Sequence, residues 1–212
     1  DFLSEDEQME LYRRNLTAVP SGPVLLRTAD IGGDKLMQGR EEERNPFLGV
    51  RGIRFSLANR ELFRDQLRAM LRAGQGRELG IMLPMVSTLE EVEEARAELD
   101  SCLKALAAEG LPHNPSPRLG AMVELPSAVM DIEELAKATD FLSIGTNDLV
   151  MYLLAVDRTN ERLSSLYRSH HPTVLRSIAQ VAKGVWKKLD ELSVCGDSAA
   201  DPLMIPFLIG VG

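Results

Sequence analysis

The sequence predicts an α/β fold in which parallel strands close into a (β/α)8 barrel of the TIM type. Short apolar runs of strand length alternate with amphipathic helical patterns of a dozen or more residues, and a parallel crossover needs a connection of that length. Polar side chains follow successive strands at their C-terminal ends. In a barrel all of these ends face one mouth, whereas an open doubly wound sheet gathers ligands only at its switch point.

The predicted elements are, in order, a helix at residues 5–16, a strand at 24–28, a helix at 55–73, a strand at 79–86, a helix at 88–109, a strand at 119–125, a helix at 127–137, a strand at 141–144, a helix at 172–189, a strand at Leu192–Cys195 and a helix at 199–209. Apolar residues at three- and four-residue spacing predict the helices, and continuous apolar runs predict the strands. Thr88 and Glu91 predict a capping box where the third helix begins. No change in composition marks a linker, so residues 1–212 are predicted to form one domain.

Composition narrows the class of protein. The chain has 212 residues, of which 44% are hydrophobic and 26% charged, which is typical of a globular domain. Its net charge of -8 argues against a nucleic-acid surface, which needs a basic face. No apolar run is long enough to cross a membrane, and the acidic N-terminus differs from a secretory signal. Only two cysteines occur, which favours a reducing compartment and a cytoplasmic location.

The stretch at residues 141–158, FLSIGTNDLVMYLLAVDR, organises the predicted site. An apolar strand breaks at a glycine into Asn147 and Asp148, and Arg158 returns charge ten residues beyond Asp148. Glu124 ends the preceding strand. Because neighbouring strands lie about 5 Å apart, Glu124 and Asp148 are expected to reach a common point.

Two carboxylates with room for water and substrate are the ligands that Mg²⁺ prefers. From spacing alone, a buried ion pair between Glu124 and an arginine is equally consistent. Asp148 has an alternative role as the N-cap of the following helix. Taken together, the two acids favour a cation, because like charges at one mouth repel.

Three arginines, Arg27, Arg51 and Arg158, are predicted near strand ends at the same mouth. Guanidinium groups bind carboxylates and phosphates through paired hydrogen bonds, so this set indicates an anionic ligand. Arg54, Arg68 and Arg72 lie on helical faces and are expected to be solvated. Cys195 ends a strand and precedes a glycine, which allows proton exchange with a ligand, although a free cysteine is commonly a small buried apolar residue.

Several segments resemble, in order, the motifs of the phosphoenolpyruvate-utilising enzymes, and most closely enzyme I of the bacterial phosphotransferase system or its nitrogen-related paralogue. They are RTADIGGDK, NPFLGVRGIR, IMLPMV, AMVELPSA, FLSIGTNDL, AVDR and CGDSAAD. The resemblance implies a phosphoenolpyruvate-binding C-terminal barrel domain. It also implies that the first and last strands of that barrel lie outside this chain.

By this resemblance the ligand is phosphoenolpyruvate. Arg27, Arg51 and Arg158 are similar to the residues that hold its carboxylate and phosphate, and Asn147 and Asp148 to further substrate contacts. Glu124 and Asp148 correspond to the Mg²⁺ ligands, and Cys195 to the donor of a proton to the methylene carbon.

The resemblance further implies partners. The phosphoryl group would pass to a histidine on a separate N-terminal domain, which is expected to lie outside residues 1–212, and from there to a histidine phosphocarrier protein. Pyruvate would be released, and the full-length protein would be a homodimer. On this basis the chain alone is expected to bind ligand without turning over.

Two other functions fit the same residues. A pyruvate phosphate dikinase or phosphoenolpyruvate synthase would bind the same ligand but receive phosphate from a nucleotide-charged domain. A non-catalytic binding or dimerisation module would keep the barrel without the chemistry.

Overall fold

The computed structural model describes residues 2–19, 21–31, 43–185 and 191–212, and these fall into two compact units. The first unit consists of Asp1–Pro84 with Glu90–Leu119, and the second of Met85–Leu89 with Gly120–Gly212. The predicted turn at residues 32–35, most of the charged loop at 38–44 and the end of the helix predicted to reach residue 189 lie outside the described residues.

The first unit is built from two parallel strands and their connecting helices. Its elements are α1 (Glu5–Thr17), β1 (Val24–Arg27), a 3₁₀ helix (Pro46–Leu48), α2 (Ile53–Ala58), α3 (Arg60–Ala73), β2 (Leu79–Leu83) and α4 (Leu89–Ala108). Strand β1 pairs with β2 in parallel, with Arg27 opposite Met82. The fully buried core side chains of this unit include Leu67, Met70, Leu71, Ile81 and Leu106.

The second unit carries the remaining strands. Its elements are β3 (Arg118–Val123, whose first two residues belong to the first unit), α5 (Pro126–Met130), α6 (Ile132–Ala138), β4 (Phe141–Gly145), α7 (Thr146–Leu154), a 3₁₀ helix (Glu161–Leu166), α8 (Pro172–Gly184), β5 (Leu192–Cys195), a 3₁₀ helix (Asp197–Ala200) and α9 (Ile205–Val211). Strand β4 pairs in parallel with both β3 and β5. Every residue of β4 is buried, as expected for a strand covered on both faces.

The structure therefore confirms an α/β fold with parallel strands, each separated from the next by helices. The part of the chain that is described contains five strands, so closure into an eight-stranded barrel stays a prediction. None of the described helices combines the length and the apolar character needed to cross a bilayer.

Two predicted helices are interrupted. The helix predicted at residues 55–73 begins at Ile53 and divides at Asn59, whose φ is -124° and ψ 62°. The Asn59 side-chain Nδ2 donates to the Phe55 carbonyl at 2.9 Å, and the Asn59 backbone N–H donates to the same carbonyl at 3.0 Å, a local side-chain bond of the kind found at helix ends. The helix predicted at 127–137 likewise divides at Asp131.

The prediction of a last helix at residues 199–209 was wrong at its start. A 3₁₀ helix ends at Ala200 and α9 begins only at Ile205. Asp201 is extended, with φ -76° and ψ 117°, because the following Pro202 disfavours a helical conformation at the residue before it. Its carboxylate then accepts the backbone N–H of Leu203 at 2.9 Å.

The expectation that Arg68 and Arg72 are solvated was also wrong. Glu5 of α1 accepts hydrogen bonds from Arg68 Nε and Arg72 Nη1, both at 2.5 Å. Arg68 also pairs with Glu109 at 2.6 Å. The side chains of Arg68 and Arg72 are only 16% and 17% exposed. These pairs connect α1, α3 and the end of α4 within the first unit.

Candidate functional site

Glu124 lies directly after β3 and is almost completely buried, at 1% exposure. Its Oε1 accepts the backbone N–H of Met85 at 2.7 Å. Met85 has a φ of 59°, a left-handed conformation that is unfavourable for a residue with a side chain. The carboxylate thus receives a directed donor from a strained backbone position.

Gly145 makes room for this carboxylate at the end of β4. A Cβ atom at position 145 would lie 2.5 Å from Glu124 Oε2 and 3.0 Å from Glu124 Cβ. The φ of Gly145 is -83°, an ordinary value, so the glycine is required by space and not by backbone conformation. Glu124 can therefore lie against the backbone from which α7 begins.

Asp148 lies in the first turn of α7 and is 6% exposed. The N-cap of this helix is Gly145, with no side-chain capping bond, so the alternative role of Asp148 as N-cap was wrong. Carboxylates in a first helical turn are stabilised by the helix dipole. The backbone thus places Asp148 one turn beyond the residue that contacts Glu124.

Asn147 is fixed in orientation by three neighbours. Its Oδ1 accepts the backbone N–H of Asp197 at 2.9 Å, and its backbone carbonyl accepts the Tyr167 hydroxyl at 3.1 Å. Gly196, with a φ of +90°, passes so close that a Cβ there would lie 2.8 Å from Asn147 Oδ1. Because Oδ1 accepts a backbone N–H, the donor Nδ2 is the other polar group of this side chain.

Cys195 ends β5 opposite Gly145 in the register. It is partly exposed, and its Sγ lies 3.5 Å from the Ile144 carbonyl. Its own carbonyl accepts the Thr146 hydroxyl at 2.8 Å. The strand end that carries Cys195 is therefore bonded to the residue from which α7 starts.

Tyr167 lies in the second unit, where Arg158, Asp197 and Asp148 act on its hydroxyl. Burial raises the pKa of the Tyr167 hydroxyl above its ordinary value; Arg158 opposes the increase, while Asp197 and Asp148 add to it. The phenol accordingly stays protonated near neutral pH and remains a hydrogen-bond donor. Arg158 itself is exposed.

Two of the predicted arginines belong to the first unit. Arg27 ends β1 and is exposed. Arg51 is buried, but the prediction that it follows a strand was wrong, because a 3₁₀ helix at Pro46–Leu48 precedes it. Its guanidinium makes paired bonds to Asp30, from Nε at 3.1 Å and from Nη2 at 2.8 Å.

Three groups were not among the predicted site residues: Tyr167, Asp30 and the backbone amide of Met85. Asp30 stands inside the quoted segment RTADIGGDK, so its position was a usable signal. Nothing in the spacing of apolar residues indicates that Tyr167 bonds to Asn147 or that the Met85 amide bonds to Glu124.

Glu124 and Asp148 fit a magnesium ion by chemistry and number. Mg²⁺ commonly binds one or two protein carboxylates and completes its shell with water and substrate oxygens. Within the described ranges, no three His, Cys, Asp or Glu side chains gather as ligands. Two carboxylates would leave the remaining positions around such a metal to other oxygen atoms.

Comparison with known families assigns the chain to a class. Residues 1–212 match the family described as PEP-utilising enzyme, PEP-binding domain. The chain belongs to this family, in which PEP stands for phosphoenolpyruvate.

Relatives within the family bear a more specific name. A protein of Listeria monocytogenes is 44% identical over 214 residues and one of Latilactobacillus sakei is 43% identical over 211 residues, covering 100% and 99% of this chain. Both are named phosphoenolpyruvate-protein phosphotransferase. The chain spans 37% of the length of each.

A solved structure supports the fold alone. A citrate lyase from Burkholderia xenovorans superposes with a TM-score of 0.52, covering 98% of this chain and 74% of that protein. At 16% identity the likeness extends to the α/β architecture and not to the reaction.

Proposed function

We propose that the chain is the phosphoenolpyruvate-binding part of a cytoplasmic phosphoenolpyruvate-protein phosphotransferase. The observation that carries this proposal is the seating of the buried Glu124 carboxylate against Gly145, one helical turn before the buried Asp148. The match of the whole chain to the PEP-binding domain family supports it.

Each predicted residue has a role in this proposal. Arg27, Arg51 and Arg158 bind the carboxylate and phosphate of the ligand, and the Nδ2 of Asn147 donates to one of its oxygens. Glu124 and Asp148 would hold Mg²⁺, which when bound supplies positive charge for the enolate that develops. The assignment of Arg27 and Arg51 to the same ligand rests on the order of the family motifs.

The chemical step follows from these roles. The bond between phosphorus and the enol oxygen breaks as the phosphoryl group passes to a histidine nitrogen on a separate N-terminal domain. The arginines stabilise the negative charge left on the enol oxygen. The Cys195 thiol then gives its proton to the methylene carbon, pyruvate leaves, and the thiolate regains a proton from water. A histidine phosphocarrier protein would receive the phosphoryl group next, and the complete protein would act as a homodimer.

Calorimetric titration of the chain with phosphoenolpyruvate, with and without Mg²⁺, tests the proposal. We expect binding that depends on Mg²⁺ and that Asp148→Asn weakens by about tenfold or more, because a neutral amide is a poorer ligand for a hard cation. Asp100→Asn removes an exposed carboxylate on α4 and should leave binding unchanged.

Two results would count against these assignments. A folded wild-type chain that shows no binding in either condition would contradict the proposal and favour a non-catalytic module. Equal binding by Asp148→Asn and the wild type would remove Asp148 from the metal site.

A further inference from the structure

Arg51 and Asp30 form a buried ion pair in the first unit. The side chains are 9% and 10% exposed, and both carboxylate oxygens accept from one edge of the guanidinium, formed by Nε and Nη2. The Phe47 ring lies on the guanidinium as well, with its centroid 5.8 Å from Arg51 Cζ. An arginine held in this way has one orientation instead of several.

The backbone around Asp30 is also fixed. Thr28 N–H donates to the Met82 carbonyl at 3.0 Å, and Ala29 N–H donates to Gln66 Oε1 at 2.9 Å. Gln66 in turn donates from Nε2 to the Tyr12 hydroxyl at 3.0 Å. The residues that lead to Asp30 are therefore bonded to β2 and α3.

The backbone around Arg51 is equally constrained. Gly52 has a φ of 57° and a ψ of -132°, a combination that residues with side chains rarely adopt. The next residue, Ile53, donates its N–H to the Pro84 carbonyl at 3.1 Å. The backbone next to Asp30 is therefore held by hydrogen bonds, and the backbone next to Arg51 is held by a hydrogen bond and by the unusual conformation of Gly52.

We propose that Asp30 is a positioning residue that determines the ligand specificity of Arg51, making it select a phosphoenolpyruvate-like anion over simple phosphate. The inference rests on the proposed function, in which Arg51 contacts the ligand. Asp30 acts in two ways. It occupies the Nε–Nη2 edge, so that Arg51 does not offer this edge to a ligand. It also compensates the positive charge of Arg51. The geometry of the hydrogen bonds between Arg51 and a ligand then contributes more to binding than general attraction between opposite charges does.

The ratio of two affinities measures this effect. Phosphoenolpyruvate and inorganic phosphate are titrated at a fixed Mg²⁺ concentration into the wild-type chain and into Asp30→Asn. We expect the preference for phosphoenolpyruvate over phosphate to fall about tenfold in Asp30→Asn, because one charge-assisted bond is lost and the negative charge of Asp30 no longer opposes the attraction of Arg51 for phosphate. A partial loss of folded protein changes both titrations alike and leaves the ratio unchanged.

Glu98→Gln is the matched control. Glu98 is a buried carboxylate of the same unit and accepts from the same Nε–Nη2 edge of Arg64, at 2.6 and 3.3 Å. Neutralising it removes the same charge from a similar pair between α3 and α4. Its preference ratio should stay within about twofold of the wild type, the scatter expected for a site without electrostatic coupling to the ligand.

Arg51→Lys provides a second test if Asp30→Asn does not fold. Lysine is a point charge without a planar edge, so the preference ratio should fall here too. An unchanged ratio in Asp30→Asn, with the wild type binding phosphoenolpyruvate, would overturn the role of Asp30 alone. An unchanged ratio in Arg51→Lys would overturn it together with the role of Arg51 in selecting the ligand. A folded wild-type chain that does not bind phosphoenolpyruvate would overturn the proposed function and this inference together.

Discussion

The two cysteines show how burial separates residues of the same type. Cys102 lies on α4 at 2% exposure, with its Sγ 3.9 Å from the Arg64 carbonyl. Burial raises the pKa of its thiol to about 11. Cys195 is partly exposed at the end of β5. Because the thiolate is the reactive form, the two should differ strongly in reactivity.

We expect iodoacetamide at pH 8 to label Cys195 and to leave Cys102 unmodified in the folded chain. With a pKa of about 11, roughly 0.1% of Cys102 is thiolate at that pH. Its labelling rate should rise as the pH approaches 11. Peptide mass spectrometry measures both sites, and the chain in urea serves as the control in which both react. Equal labelling of the two cysteines in the native chain would contradict this prediction.

At the scale of elements, α1 is defined by its first turn. Ser4 Oγ accepts the Glu7 N–H at 3.4 Å, and the Glu7 carboxylate accepts the Ser4 N–H at 2.9 Å. This is a complete capping box, which satisfies two backbone donors that a helix start leaves open.

Ser4→Ala should lower the free energy of unfolding by about 1 kcal/mol, the usual cost of losing a serine N-cap. Urea unfolding followed by circular dichroism measures the change. Ser164→Ala, an exposed serine in the 3₁₀ helix Glu161–Leu166, is the comparison and should alter stability by less than about 0.5 kcal/mol. Similar losses in both variants would indicate that the capping box does not stabilise α1.

The strands were predictable from sequence because each is a short apolar run, and Leu192–Cys195 was predicted with its observed bounds. The helix interruptions were not predictable from periodicity. Apolar residues continue on both sides of Asn59, and the break is seen only in the backbone angles of Asn59 and in its side-chain bond to Phe55. Pro202 is a sequence signal against a helix through residue 201, and the prediction of a helix at 199–209 did not take this signal into account.

The candidate site also contains some residues that could be predicted from sequence and others that could not. Glu124, Asn147, Asp148 and Cys195 could be selected from sequence because strand ends carry ligand-binding groups. The groups that orient them, such as the Tyr167 hydroxyl and the Asp197 amide, come from later turns. Their contacts depend on tertiary packing, which local spacing does not encode.

At the scale of the molecule, a chain with net charge -8 places several acids against arginines in its first unit. Glu98 accepts from Arg64 and from Arg60 Nη1, the latter at 2.6 Å. The hydrogen bond from Arg64 is the largest cause that lowers the pKa of Glu98 below its ordinary value of 4.5; burial opposes it and Arg60 supports it. The folded state therefore binds this proton less readily than the unfolded state.

Stability from Glu98 is thus present above about pH 4.5 and is lost as the pH falls through the lower folded-state pKa. We expect the free energy of unfolding of the wild type to fall more steeply below pH 4.5 than that of Glu98→Gln, which cannot titrate there. Urea unfolding at several pH values between 3 and 7 provides the comparison. Parallel pH profiles for the two proteins would show that the Glu98 pairs do not contribute to acid sensitivity.

The space that Gly145 leaves for Glu124 limits which sequences can keep this site. Gly76 has a φ of +71° and open surroundings, so asparagine, which tolerates left-handed backbone, is an acceptable replacement there. Position 145 has ordinary backbone, yet even alanine would collide with a buried acid. Natural drift or directed evolution can therefore replace the first glycine by residues that tolerate left-handed backbone, whereas any replacement of the second requires the Glu124 side chain to shift.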